Sequence, residues 1–359
     1  MVSAAVPAAA PAPAITAARA PRSAPMTSRD RFRALCAGQP VDRLPMVEWA
    51  HWWGQTMTRW IGEGLSVAQE YHYKRGVGEQ VTRHFGLDVW LQDWVNPHRD
   101  LPKPAHHGAA LIATMDDYLA LRPSLYPSLR SDGGPWADWR PKLDAGDVGW
   151  FTFPGFFWWP RVLLGIEGHL YALADNPELL HAINSDLAAW MVRTVDEICR
   201  FAKPDFMTFG EDLSYNHGPM LSERSFNNVI LPYYQQVVPA LHEHGITVVV
   251  DSDGDITRCL PWFLRGGIDG ILPLERQSKV DINQLQAAHP KTLFIGHFDK
   301  MTMPLGEAAM HAEFERLLPA MRRGRFIPSV DHQTPPGVSL DQYRCYLRLL
   351  GEYTRRAAT

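Results

Sequence analysis

Carboxylates crowd the stretch from Ile246 to His332, at spacings that suit a ligand or metal site. The segment VVVDSDGDI, Val248 to Ile256, passes abruptly from β-branched residues to Asp251, Asp253 and Asp255 around Gly254. The run from Ile246 to Val250 has the composition of a strand buried on both faces. Three acids at alternating positions after such a strand belong on a loop at the mouth of a barrel or open sheet, where a ligand or metal can be held. The same residue type also caps helices in solvated turns, so no single Asp carries the functional reading alone.

The pattern recurs downstream. GIDGILPLE, Gly267 to Glu275, is a short apolar strand ending in an acid. TLFIGHFDK, Thr292 to Lys300, ends in His297, Asp299 and Lys300, and GRFIPSVDHQTPP, Gly324 to Pro336, ends in Asp331 and His332. Helix-like runs separate them, Ile282 to His289 and Leu305 to Arg323, and strands alternating with helices imply βα units and a parallel sheet. Upstream, four more strands are expected: Leu44 to Ala50 with Glu48 and His51 near its end, Leu87 to Gln92 ending in Asp93 and Trp94, Trp150 to Pro154, and Asp205 to Phe209 ending in Glu211 and Asp212. Eight strands are the number that closes a (βα)8 TIM barrel, here a single α/β domain over residues 26–359. Residues 95–147, rich in Pro, Gly, His and Trp, read as an insertion after the second strand. Ser28 to Ala37 is expected to form a short amphipathic helix, and Asp175 to Phe201 a long one started by Asn176-Pro177.

Composition narrows the class. The chain has 359 residues, 46% of them hydrophobic and 21% charged, with a formal net charge of −4, and it is long enough for a large core. No basic tract points to nucleic acid, and no apolar run is long enough for a membrane span. The four cysteines are far apart and read as reduced thiols of a cytoplasmic protein. Residues 1–25 are dominated by Ala and Pro, a composition expected to be disordered, and Met26 is an alternative start. Of the 13 tryptophans, 11 lie between Trp49 and Trp159, which places Trp52 and Trp53, beside His51, and Trp158 where a pocket wall is expected.

Taken in order, RFRALCAGQPVDRLP, FGEDLSYNHGPMLSERSFNNVILPYYQQVV, VVVDSDGDI, GIDGILPLE, FIGHFDK and IPSVDHQTPPGVSLDQYRCYL resemble the uroporphyrinogen decarboxylase superfamily, which includes methylcobalamin-dependent methyltransferases. The resemblance implies a (βα)8 barrel, a site at its C-terminal mouth and a homodimer. Where the decarboxylases proper carry an Arg-rich loop for tetrapyrrole carboxylates, this chain has EWAHWWGQTMTRW, which lacks the bidentate cations a polyanion needs. Where the zinc methyltransferases carry cysteine ligands, it has Asp251, Asp253 and Asp331 or His332, a harder donor set. The branch so implied is a methyltransferase of the corrinoid and tetrahydrofolate type, with a corrinoid protein as partner and Glu211, Asp212 and Asn216 against a pterin edge. His51, Trp52, Trp53, Trp158 and His297 would complete the substrate pocket. A divalent metal such as zinc is an alternative at Asp251, Asp253 and His332. A second reading is a decarboxylase of a small carboxylated substrate, with Asp93 or Asp253 stabilising a cationic intermediate and His332 or Tyr215 managing protons. A third is a barrel that only binds a ligand.

Overall fold

The computed structural model describes residues 25–68 and 77–358, so all but the last residue of the Ala/Pro-rich stretch expected to be disordered lies outside the described residues. Helix α1, Ser28–Cys36, starts where the Thr27 hydroxyl accepts the Asp30 N–H. Helices α2, Gly54–Gly62, and α3, Val77–His84, precede strand β1, Trp90–Trp94. Residues 95–147 hold α4, Met115–Leu121, and α5, Pro135–Asp144, the former closed by a Thr114/Asp117 capping box. Strand β2, Val148–Pro154, is buried along its whole length and feeds α6, Trp158–Asp175, and α7, Pro177–Phe201, whose cap is Asn176 with Pro177 in the first turn. Strand β3, Phe206–Gly210, leads to a hairpin of β4, Ser214–Tyr215, and β5, Gly218–Pro219, and then to α8, Glu223–Val229, and α9, Leu231–Glu243. The remaining units are β6, Thr247–Asp251, with α10, Leu260–Arg265; β7, Gly270–Leu272, with α11, Ile282–Ala288; β8, Leu293–Phe298, with α12, Glu307–Arg323; and β9, Phe326–Val330, with α13, Leu340–Ala358.

The main sheet has seven parallel strands in the order β1-β2-β3-β6-β7-β8-β9, with β1 and β9 at its edges. This corrects the expectation of eight ladder-forming strands. The stretch from Leu44 to Ala50 lies between the two edges but is not a strand. Pro45 has no N–H to give a ladder. Instead the Met46 carbonyl accepts the Asp88 N–H at 2.7 Å, and side chains reach the other edge: the Trp49 indole donates to the Val330 carbonyl at 2.9 Å, and Glu48 accepts from Ser329 at 3.4 Å.

Strand alternation sorts the two faces of the sheet. On the inner face Trp90, Trp150 and Phe206 pack against one another and against Phe32 of α1, which plugs the end where the strands begin. One layer towards the mouth, Gln92 donates to Thr152 at 3.0 Å, and Thr152 and Thr208 share a hydrogen bond of 2.7 Å. On the outer face Phe151 meets Trp136 of α5, Phe153 meets Trp190 of α7, and Phe209 meets Tyr234 of α9. Helix α1 is pinned by ion pairs to two buried carboxylates: Arg29 and the half-exposed Arg33 to Asp205 at 2.8 and 2.7 Å, and Arg31 to Asp88 at 3.1 Å. All four cysteines are free. Among the described residues no helix is long and apolar enough to cross a membrane.

Candidate functional site

Five carboxylates collect where the strands end. Asp251 closes β6, Asp253 lies two residues on, Asp212 follows β3, Glu275 follows β7 and Asp331 follows β9. Backbone geometry holds them. The Asp253 N–H donates to Asp212 at 3.2 Å, and Asp212 itself sits at φ +41°, a left-handed conformation costly for any residue with a Cβ. The Gly254 N–H donates to Glu275 at 3.0 Å. Gly254 has φ +84°, and a Cβ there would fall 2.7 Å from the Tyr215 backbone, so only glycine lets this loop lie on the hairpin. Asp331 accepts the Arg276 N–H at 3.0 Å and pairs with Lys300 Nζ at 3.0 Å. The His332 imidazole lies 3.7 Å from Asp253 and edge-on to the Trp49 ring.

Crowding shows in the protonation equilibria. Burial, then Asp212 and Glu275, push the Asp253 carboxyl up to about 7. Burial with Asp212 and Asp253 alongside carries Asp251 well above the usual carboxylate range. Burial also raises Asp212 and Asp331, the latter against the opposing pull of Lys300. His332 goes the other way, lowered by burial and by Lys300, which favours the neutral imidazole. One ligand atom each from Asp253, Glu275 and His332 fit within 4.8 Å of one another, a spacing that can hold a metal ion. Asp251, expected as the third ligand, is not part of that group. Glu275 takes its place.

Other expected site residues are distributed differently. Glu211 is fully buried and does not open to the mouth. Its carboxylate accepts the Phe156 and Phe157 N–H groups at 2.8 and 2.7 Å, the Trp158 N–H at 3.3 Å and the Tyr234 hydroxyl. Phe157, the cap residue of α6, has no side-chain acceptor, so Glu211 supplies the anion that the helix start needs. Asp93 belongs to the outer face of β1, in register with Phe151, whereas Gln92 and Trp94 face inward. Trp52 is buried among Trp60, Phe85 and Tyr343 and is a core residue. His297 is also fully buried, with Nδ1 2.8 Å from the Leu274 carbonyl and Nε2 accepting the Ile282 N–H at 3.3 Å. Burial first, then Arg316 and Arg276 against the pull of the Leu274 hydrogen bond, lowers its pKa to about 3.

Trp53, at the start of α2, is exposed, as is Tyr215 on the hairpin. His51 is exposed too, its carbonyl held by Gln333 at 2.6 Å. Asn216 accepts the Ser278 hydroxyl at 3.0 Å, and Trp158 carries the Arg161 guanidinium over its ring at 4.9 Å. Two residues were missed. Glu275 was marked by its place at a strand end but not carried into the site. Trp94 is 55% exposed and lies over Gly210, which pairs with Asp251 in the β3–β6 ladder.

A family model described as uroporphyrinogen decarboxylase (URO-D) matches residues 163–353. Among solved structures the chain is similar to a methyltransferase from Methanosarcina mazei, at 12% identity and a TM-score of 0.65, over 91% of this chain and 99% of that one. It also matches a putative vitamin-B12 independent methionine synthase from Listeria monocytogenes, at 13% identity and a TM-score of 0.41, over 65% of this chain and 71% of that one. No curated protein sequence matches. The first likeness concerns the fold, and the family match spans more than half the chain: it belongs to the uroporphyrinogen decarboxylase family.

Proposed function

We propose that this protein is a small-molecule methyltransferase of the corrinoid type, working at the carboxyl ends of its strands, with residues 44–50 standing in the eighth position of a (βα)8 barrel. The observation that carries the reading is the mouth itself: Asp253 pushed up to about 7 and Asp251 well above the usual carboxylate range, with exposed aromatic side chains at the strand ends. Among the described residues five of the eight exposed large apolar side chains lie at or just beyond strand ends or on the segment 44–53: Trp53, Trp94, Tyr215, Met301 and Leu305. Such a rim fits the approach of a large planar group carried by a partner protein, a corrinoid protein in this reading. Methylcobalamin, when bound, supplies the methyl group. The protein's own residues orient the acceptor, with tetrahydrofolate the candidate, and hold or move a proton at Asp253. A homodimer belongs to the same proposal.

The donor set Asp253, Glu275 and His332 also fits a divalent cation such as zinc, which would polarise a substrate oxygen. Elemental analysis of wild type, Asp253→Ala and Glu275→Ala tests it: about one equivalent that both variants lose places the metal there. Demethylation of methylcobalamin in the presence of tetrahydrofolate tests the methyl transfer. Loss of that activity in Asp253→Asn by about 10²–10⁴-fold is expected if this carboxyl manages a proton. A second reading, decarboxylation of a small acid, draws on the raised pKa of Asp253 and Asp251, since a protonated carboxyl can deliver a proton to carbon. Release of CO2 without any added cofactor would select it.

A further inference from the structure

Two cations near the strand ends are already engaged. Lys300 Nζ is bonded to Asp331 and to Gln277 at 3.0 and 2.9 Å, and the Arg161 guanidinium lies on the Trp158 ring with Asp212 as its charged neighbour. Among the described residues Asp251, Asp253 and Glu275 have no Lys or Arg ion-pair partner. The Asp251 carboxylate is the telling one. It stands on the inner face at the end of β6, and among the described residues no donor reaches its oxygens. A carboxyl at a strand end without a donor lacks what a ligand would bring.

The aromatic wall is independent of the acids. Trp94 sits on the inner face of β1, in ladder register with Thr152 and close over Gly210, yet more than half of its surface is open. An indole left exposed on the inner side of a strand end, when other tryptophans of the same sheet are buried, is a face kept free. Tyr215 and Trp53 are further exposed aromatic rings near the strand ends. Indole and phenol faces attract positive charge through their quadrupoles, most strongly where water is partly excluded.

We infer that the small-molecule substrate of this site is an organic cation of the substituted ammonium class, its charge met by Asp251, Asp253 and Glu275 and its alkyl groups laid against Trp94. This rests on the mouth being the functional site, and it names the substrate class that the reaction there would use. A polycarboxylate would add negative charge beside acids that already hold one another back from ionising, whereas a cation relieves that crowding.

Calorimetric titration tests it with choline, tetramethylammonium and a benzylic trimethylammonium as probes, alongside the uncharged isostere of choline in which carbon replaces nitrogen. At least one charged probe is expected to bind the wild type, and the isostere about tenfold more weakly or not at all. Trp94→Ala and Asp251→Asn should each weaken the charged probe about tenfold, while Trp94→Phe retains most of the affinity. Circular dichroism separates a binding defect from a folding defect. Equal affinity for the isostere, unchanged binding in both Trp94→Ala and Asp251→Asn, or no binding of any charged probe overturns the inference. Binding needs no turnover, so cation binding without methyl transfer or CO2 release would sustain the substrate class and reject the reaction. Turnover of an uncharged substrate without cation binding would do the reverse.

Discussion

Burial pushes the Glu48 carboxyl up to about 8, against the pull of hydrogen bonds from Tyr343 at 2.9 Å and Ser329 at 3.4 Å. Its folded pKa therefore lies above its unfolded value. Between the ordinary carboxylate range and about 8 the folded protein binds more protons than the unfolded chain, and stability from this group is lost as pH rises through that window. Glu48→Gln should flatten that fall, which amounts to a few kcal/mol by linkage. Urea midpoints at pH 5 and pH 8 compare the two proteins, and an unchanged difference would place the titration elsewhere. The acids of the mouth were legible because a buried β-branched run ends in them. Asp93 was misread because WLQDW carries apolar and polar residues on both of its alternating faces, so the pattern cannot say which face is inward. Trp52 and His297 were misread for another reason. Tryptophan and histidine suit a core as well as a pocket, and only partners such as Tyr343 or the Leu274 carbonyl decide which.

Helix α6 shows what an element can hide. It is one continuous span only by hydrogen bonding, since Gly165 has φ 71° and ψ 171° inside it. The break frees the Leu163 carbonyl to accept from Leu111 and Ile112 at 2.8 and 3.1 Å, while the Ile166 N–H turns to the Gly108 carbonyl at 3.1 Å. The loop at 106–113 thus completes the helix's own bonding, and the two border a cleft of about 690 Å³. A Cβ at Gly165 would fall 2.7 Å from the Ala110 nitrogen and the Gly108 oxygen. Gly165→Ala should cost about 1–3 kcal/mol and release the loop. Limited proteolysis should then cut between His106 and Ala113, and an uncut loop would mean that α6 straightens instead. The helix period gave α7 and α12 to within a few residues. It could not give this break, because a glycine within a helical run reads the same whether its φ is negative or positive.

At the scale of the molecule, the N-terminal end of the sheet is tied by two buried carboxylates. Asp205 accepts from Arg29, Arg33 and the Gly149 N–H, and Asp88 from Arg31, Arg43, Ser28 and the Met46 N–H. Asp205→Ala removes the acceptor shared by Arg29, Arg33 and the Gly149 N–H, although Arg29 keeps the Leu143 and Lys203 carbonyls and Arg33 turns to water, and should cost about 1–3 kcal/mol. A urea midpoint reads the loss. Activity should fall only through stability, since this network lies at the opposite end of the strands from the mouth. Alternation of strands and helices made the βα architecture legible, but the edge between β9 and β1 was not, because Pro45 denies a ladder that composition alone would allow. Six ladders join the seven strands, whereas among the described residues the interval between β9 and β1 is bridged by Glu48 and Trp49 on one side and by Arg43 and Met46, both bonded to Asp88, on the other. The two edges are therefore held by a clasp. Amide exchange should run faster through residues 44–50 than through any buried strand, and a change at the clasp should be felt in how far the two edges part rather than in how the rest of the sheet is built.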